Sequence, residues 1–190
     1  MASFDIDSFV ADCLAAVRSE ANRGSLAVKE VLESVLHNPG RIAEAVGPPT
    51  AIPPFTTWHH SDELTILHVV WPPTVDLLAH DHEMWATIGL YGGREDNRFF
   101  RPDDDGALRP SGATTLRTGD TVALGRDVIH AVANPSREWT AAIHVYGGDY
   151  FAPARRMWPD IAEAPVAFDV ARVVATLEDA AERSTPRPAG

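Results

Sequence analysis

Between Phe55 and Tyr150 the chain carries six short runs rich in Val, Ile, Thr and aromatic residues. They are "LTILHVVW", "EMWATIGLY", "NRFFRP", "DTVALG", "VIHAVANP" and "TAAIHVYGG", and Gly, Pro, Asp and Asn punctuate them. Branched and aromatic side chains suit a pleated surface. Their close spacing with tight turns predicts antiparallel strands closed into a barrel or sandwich. "RPDDDGALRPSG" reads as an exposed polar turn and "REDN", residues 94–97, as a solvated loop. The pairs Gly92-Gly93 and Gly147-Gly148 read as tight turns, since they lack the strand-to-helix setting of a phosphate loop.

Helical spacing flanks this region on both sides. In "DSFVADCLAAVRSE", Phe9, Cys13, Leu14 and Val17 share a stripe, with Asp7 or Ser8 as cap and Gly24 as a stop. A second helix starts at Ser25, with Leu26, Val28, Val31, Leu32, Val35 and Leu36 as its stripe, and "NPG" ends it. A short third helix covers Arg41 to Val46 before "GPPTAIPP" interrupts the chain. Near the end, "FDVARVVATLEDAAERS" predicts an amphipathic helix capped by Asp169, with Val170, Val173, Val174 and Leu177 on one side, and "TPRPAG" reads as a disordered tail. The 190 residues suffice for one structural domain with a sizeable core. Its parts are a helical arm packed on the barrel (1–48), the β-barrel (49–160), and the C-terminal helix and tail (161–190). The arm's stripes must be buried, either over a barrel end or in a homodimer.

The net charge of −11, from 16 Lys and Arg against 27 Asp and Glu, disfavours nucleic acid and anionic membranes as partners. The single cysteine, Cys13, allows neither an internal disulfide nor a Cys-rich metal site, and it points to a reducing, cytoplasmic compartment. The N-terminal stretch lacks the basic region of a signal peptide, and no apolar run approaches the roughly 20 residues of a membrane helix.

Against this background the histidines stand out. His80 and His82, in "AHDHEMW", lie two apart, so on a strand both project to one face. His130, in "GRDVIHAVAN", lies on a later strand and supplies a third ligand. His37, His59, His60 and His68 fit no convergent pattern and read as helix end or sheet surface. Asn134 reads as a turn former. Asp81 either supports a ligand or sits in an exposed turn.

The ordered pair, "HDH" followed by Gly and then "GD…GxDxxH…N", resembles the two motifs of the cupin superfamily. That resemblance implies a mainly β fold: a cupin-type double-stranded β-helix barrel, here with an N-terminal helical arm and a C-terminal helix. Many cupins add a glutamate three or four residues after the second histidine. Here those positions are Ala86 and Thr87, while Glu83 points to the other face. The expected site is three neutral histidines, which leave a divalent ion its full charge and favour an anionic ligand. Imidazole suits Fe, Zn, Cu or Ni alike.

His144 and Tyr146 form a second pair on one strand face, above Ala142. An imidazole beside a phenol makes a proton relay. With this pair the chain resembles the thiol dioxygenase branch of the cupins, the group of cysteine dioxygenase and 3-mercaptopropionate dioxygenase. Those enzymes hold Fe(II) with three histidines and carry an S-x-H-x-Y pattern, which here is Ala142-x-His144-x-Tyr146. The resemblance implies Fe(II), with Zn or Ni as alternatives, a small thiol and O2 as substrates, and a sulfinic acid as product. It implies Tyr146 and His144 as catalytic residues and Arg155 as the carboxylate clamp, while Trp85, through its closeness to His82, reads as a pocket wall that binds substrate. No Cys–Tyr cross-link is expected, because the one cysteine lies in the arm. The alternatives are a three-histidine cupin enzyme with another metal or a non-thiol substrate, and a non-catalytic ligand-binding cupin.

Overall fold

The computed structural model describes residues 3–19, 23–49 and 53–184. Residues 50–52 of the Pro-rich link and the tail "TPRPAG" (185–190) lie outside them. The chain opens with three helices, α1 (Ile6–Ser19), α2 (Gly24–Leu36) and α3 (Pro39–Val46). Strands β1 (Phe55–His60), β2 (Thr65–Trp71), β3 (Ala79–Asp81), β4 (Ala86–Gly92), β5 (Arg94–Pro102) and β6 (Leu108–Arg117) follow. Then come β7 (Thr121–Leu124), β8 (Ile129–Ala133), β9 (Thr140–Tyr146), β10 (Arg156–Trp158), β11 (Val166–Ala167) and the last helix, α4 (Val170–Ser184).

Two antiparallel sheets form, in the orders β1-β2-β9-β4-β7 and β11-β10-β3-β8-β5-β6. The pairing is nested. β5 pairs with β6, β4 with β7, β3 with β8 and β2 with β9. One long hairpin with its tip at β5–β6 has therefore rolled up, each strand pair passing from one sheet to the other. This is a double-stranded β-helix, the jelly-roll solution to the exposed-edge problem.

Strand faces divide with period two. On β9, Ala142 and Tyr146 join the barrel core, while Ala141, Ile143 and Val145 join a second core under the arm. On β2, Leu67, Val69 and Trp71 face in and Ile66 faces out. The central strands β2, β9 and β4 of this sheet are thus buried on both sides, which is why β2 and β9 read as near-continuous apolar runs. Phe9 and Cys13 of α1, Val28, Leu32 and Leu36 of α2, and Ile42 of α3 cover its outer face. Gly89 allows this approach, because a Cβ there would lie 2.7 Å from Leu36 Cδ1. The arm's stripes are therefore buried on the chain's own sheet. Leu177 and Ala180 of α4 pack into the barrel core. Among the described residues no helix is long and apolar enough to cross a membrane.

Several local expectations are corrected. Asp5, not Asp7 or Ser8, caps α1, its Oδ1 accepting the Ser8 N–H at 2.8 Å. Gly24 begins α2 and does not stop a helix, and Ala27, not the exposed Leu26, completes its buried face. Pro39 and Gly40 form the first turn of α3, where a missing N–H is tolerated. "REDN" is the start of β5, with Glu95 and Asn97 buried. In "RPDDDGALRPSG" only residues 103–107 turn, and Leu108 begins β6. β6 escaped notice because most of it faces solvent and is polar.

His68 is not on a sheet surface but fully buried on the outer face of β2. It stacks on Trp58, with centroids 5.1 Å apart, and its Nε2 meets the Tyr91 hydroxyl at 2.7 Å. Burial, aided by His144, pushes its pKa down to about 4. Between that value and the ordinary 6.5 the unfolded chain binds the proton and the folded chain does not, so stability falls as pH drops through this window.

Two outcomes are expected in urea unfolding. Leu32→Ala, at a fully buried contact between α2 and the sheet, lowers stability by about 2–5 kcal/mol in a single transition followed by helical and near-ultraviolet signals alike. A separate early loss of helix would make the arm an independent unit. The His68→Phe/Tyr91→Phe double variant keeps the stacking and, between pH 7 and pH 5, loses about 2 kcal/mol less stability than the parent. An unchanged acid slope would show that His68 is protonated without penalty.

Candidate metal centre

The nested pairing aligns the histidines. His80 on β3 sits directly opposite His130 on β8 in the antiparallel register. His82 follows one residue after β3 ends, and the chain then turns through Glu83, whose φ is +56°. The three rings come within 4.8–5.1 Å of one another, centroid to centroid. One ligand nitrogen from each lies within 4.8 Å of the others. Among the described residues this is the one such cluster, and it contains no carboxylate. Asp81 is buried and tied to β10, accepting the Arg156 backbone N–H and Nε–H at 2.7 Å each. Glu83 pairs with the same guanidinium at 3.3 Å.

Hydrogen bonds select the tautomers. The His130 Nδ1–H donates to Asn97 Oδ1 at 2.7 Å, and the Asn97 amide is oriented by donating to Glu95 Oε1 at 2.8 Å. The His80 Nδ1–H donates to the Leu78 carbonyl at 3.0 Å. Both imidazoles thereby leave Nε2 as a bare lone pair. Burial pushes the His80 pKa down to about 4, with the Arg155 charge adding to the fall. It holds His82 and His130 well below their ordinary value, reinforced by the neighbouring rings. Neutral imidazoles are the form that binds metal. The His82 and His130 Nε2 atoms are 3.4 Å apart. Two nitrogens bound about 2.1 Å from one ion lie about 3–3.5 Å apart, so the pair fits a divalent transition metal.

His144 and Tyr146 face the same interior from β9. The Tyr146 hydroxyl is 3.1 Å from His144 Nδ1, and its ring lies 5.1 Å from that of His82. Burial raises the Tyr146 pKa well above 10, so the phenol stays protonated. Glu95 on β5 closes the group from behind. Its Oε2 accepts the Trp71 Nε1–H at 2.6 Å and lies 3.6 Å from His144 Nε2. Burial alone would raise the Glu95 carboxyl, but His144, Asn97 and Trp71 outweigh it and hold the group below the usual value.

Arg155 is 7% exposed. Its guanidinium lies over the Tyr150 ring at 3.9 Å and the Phe168 ring at 4.2 Å, and its Nη1 has no hydrogen-bond partner. Trp85 does not line the histidine cavity. It packs with the arm core over Gly24 and Gly147, and a Cβ at Gly147 would come within 1.9 Å of its ring. The apolar wall is instead Trp71, Tyr150 and Phe168. The cavity itself is about 30 Å³, room for a water or two. A groove of about 390 Å³ adjoins it and shares Phe55, Tyr150, Phe168 and Val173.

Glu95 and Asn97 are the residues that reading the sequence missed. The signal was present: Glu95, Asn97 and Phe99 follow at period two, so the polar pair shares the face of an aromatic residue that packs on the core.

No family model matches the chain. Among solved structures it is similar to an uncharacterized conserved protein with a double-stranded β-helix domain from Klebsiella pneumoniae. Identity is 14%, covering 63% of this chain and 89% of that one, with a TM-score of 0.47. It is similar to the cupin domain of Cnp3 from Schizosaccharomyces pombe, at 8% identity over 50% and 60% of the chains, with a TM-score of 0.42. Oxalate decarboxylase from Bacillus subtilis aligns at 15% identity over 48% and 22%, with a TM-score of 0.40. The chain thus spans less than two thirds of the length of the last two. The fold rests on its own nested strand order and inward histidines. The scaffold is a double-stranded β-helix barrel.

The site predicts one divalent ion per chain. Titration with Fe(II), Zn(II) or Ni(II), read by metal analysis and thermal shift, is expected to saturate at one equivalent and to stabilise the fold. His130→Ala abolishes this binding, and Asn97→Leu, which frees the His130 Nδ1–H, weakens it by about 10–100-fold. Unaltered affinity in Asn97→Leu would remove the tautomer role of that amide.

Proposed function

We propose that the chain is a mononuclear non-haem Fe(II) dioxygenase that converts a small mercapto-carboxylate, of the class of 3-mercaptopropionate or cysteine, into a sulfinic acid. The supporting observation is the convergence, around one cavity, of a carboxylate-free histidine trio and a hydrogen-bonded His144–Tyr146 pair, with a buried guanidinium that has an unused donor packed on the wall residues Tyr150 and Phe168. Iron(II) held by His80, His82 and His130 supplies redox chemistry toward O2 and a binding place for a thiolate.

The chain's own residues do the rest. Three neutral imidazoles subtract no charge from a divalent ion, which favours an anionic sulfur ligand. Arg155, fixed between two aromatic faces, offers Nη1 to a carboxylate. Tyr146 presents its hydroxyl beside His82 and is backed by His144, so a proton can pass between ligand, phenol and imidazole. Trp71, Tyr150 and Phe168 wall the cavity with apolar surface, which strengthens each of these interactions. The overall change is balanced: a thiol and O2 give a sulfinic acid, both oxygen atoms joining the sulfur, which is oxidised as O2 is reduced.

The test is O2 uptake by protein loaded anaerobically with Fe(II), scanned over 3-mercaptopropionate, cysteine, cysteamine and mercaptosuccinate. Uptake is expected with a thiol carboxylate and absent in His130→Ala. Tyr146→Phe lowers kcat about 10-fold or more. Arg155→Leu raises KM for the carboxylate substrate by about 10–100-fold and leaves cysteamine, which has no carboxylate, unaffected. If no thiol stimulates uptake while iron occupies the site, the barrel serves another metal, a non-thiol substrate or ligand binding alone.

A further inference from the structure

Glu95 is fully buried, and among the described residues neither Lys nor Arg pairs with it. A buried carboxylate without a cation is costly and persists where its acceptors are used. Its neighbours are the Trp71 indole N–H, the Asn97 amide and, at 3.6 Å, the Nε2 of His144. That Nε2 has no hydrogen-bond partner of its own. Ala142, on the same face of β9, offers no hydroxyl.

We propose that Glu95 is a positioning residue that fixes the tautomer of His144 and thereby the direction of the hydrogen bond made by Tyr146. An ionised carboxylate only accepts, so the nitrogen facing it carries the hydrogen. In the tautomer with the hydrogen on Nε2, His144 has a bare Nδ1, and the Tyr146 O–H donates to it across 3.1 Å. The phenol oxygen then turns its lone pairs toward the cavity and accepts a proton from a ligand there. The same order of groups lets His144 take up the phenol proton, the resulting imidazolium being balanced by Glu95, as in other carboxylate–imidazole–hydroxyl sets. Without the carboxylate the other tautomer becomes available. Nδ1–H would donate to the phenol oxygen, and the Tyr146 hydrogen would point into the cavity. The other carboxylate oxygen, through Asn97, orients His130, so one anion sets the tautomers of both a cluster histidine and the relay histidine.

The value of this arrangement for turnover rests on the dioxygenase reading, but the tautomer itself does not. The decisive experiment is nitrogen-15 NMR of metal-free protein labelled in histidine, with His144 assigned by its disappearance in His144→Gln. The parent is expected to show His144 protonated at Nε2, and Glu95→Leu is expected to shift population toward the Nδ1–H form. A parent already in the Nδ1–H form overturns the proposal, as does a folded Glu95→Leu with an unchanged tautomer. Should Glu95→Leu fail to fold, the parent spectrum and the isosteric Glu95→Gln decide the matter. In iron-loaded protein Glu95→Gln is expected to lower kcat about 10–100-fold with KM nearly unchanged, because Arg155 is untouched. A tautomer set by Glu95 in a protein that turns over no thiol sinks the dioxygenase reading and leaves Glu95 its role. Thiol turnover with a tautomer indifferent to Glu95 does the reverse.

Discussion

The polar groups that point into this barrel find most of their partners inside it. The arm seals the outer face of one sheet, and α4 sends Leu177 and Ala180 into the barrel core. Bulk water does not reach what lies between. This constraint explains why the interior side chains of four strands gather into two hydrogen-bonded groups, Trp71–Glu95–Asn97–His130 and His144–Tyr146, which meet where Glu95 lies 3.6 Å from His144. Trp71 comes from β2, Glu95 and Asn97 from β5, His130 from β8, and His144 and Tyr146 from β9. The rolled hairpin makes both groups reachable. β5 lies beside β8 in one sheet and β9 beside β2 in the other, and the two inner faces meet across the core. A slip of one residue in any of these strands would turn its polar groups out and leave the others unpaired.

The histidines were legible in the sequence because period-two spacing needs no tertiary knowledge. His80 and His82 share a face on any strand, and the nested pairing then sets His130 opposite His80. The arm and α4 were legible for the analogous reason at helical spacing. What escaped were the elements whose polarity has two readings. Glu95 and Asn97 look like a solvated loop unless their partners Trp71, His144 and His130 are known, and those lie 24 to 49 residues away in the sequence. β6 looks like a turn because its residues alternate little and face water. Trp85 looked like a pocket wall from its nearness to His82, yet the turn after His82 carries it to the outer face, where Gly24 and Gly147 make room.

Burial on both faces also fixes the electrostatics. His80, His82 and His130 are held neutral by the same exclusion of water that makes their lone pairs available. His68, on the far side of β2, is neutral for the same reason but stacks between Trp58 and Tyr91 and, among the described residues, joins no cluster of metal-ligating groups. Burial alone therefore does not mark a site. Convergence does, and convergence is a property of the strand pairing.

Two full charges remain in or beside the interior, and they are handled differently. Glu95 is surrounded by donors and held ionised. Arg155 has two aromatic faces and a donor left over. Each cation–π contact contributes about 0.5–2 kcal/mol, while removing a guanidinium from water costs several kcal/mol. The aromatic rings offset only part of that penalty, and Nη1 remains without a hydrogen-bond partner. The chain's net charge of −11 does nothing to draw an anion in from a distance. Any pull of Arg155 on an anion is then short-range, exerted from beside Tyr150 and Phe168 of the cavity wall. On the function proposed above, that anion is the substrate's carboxylate.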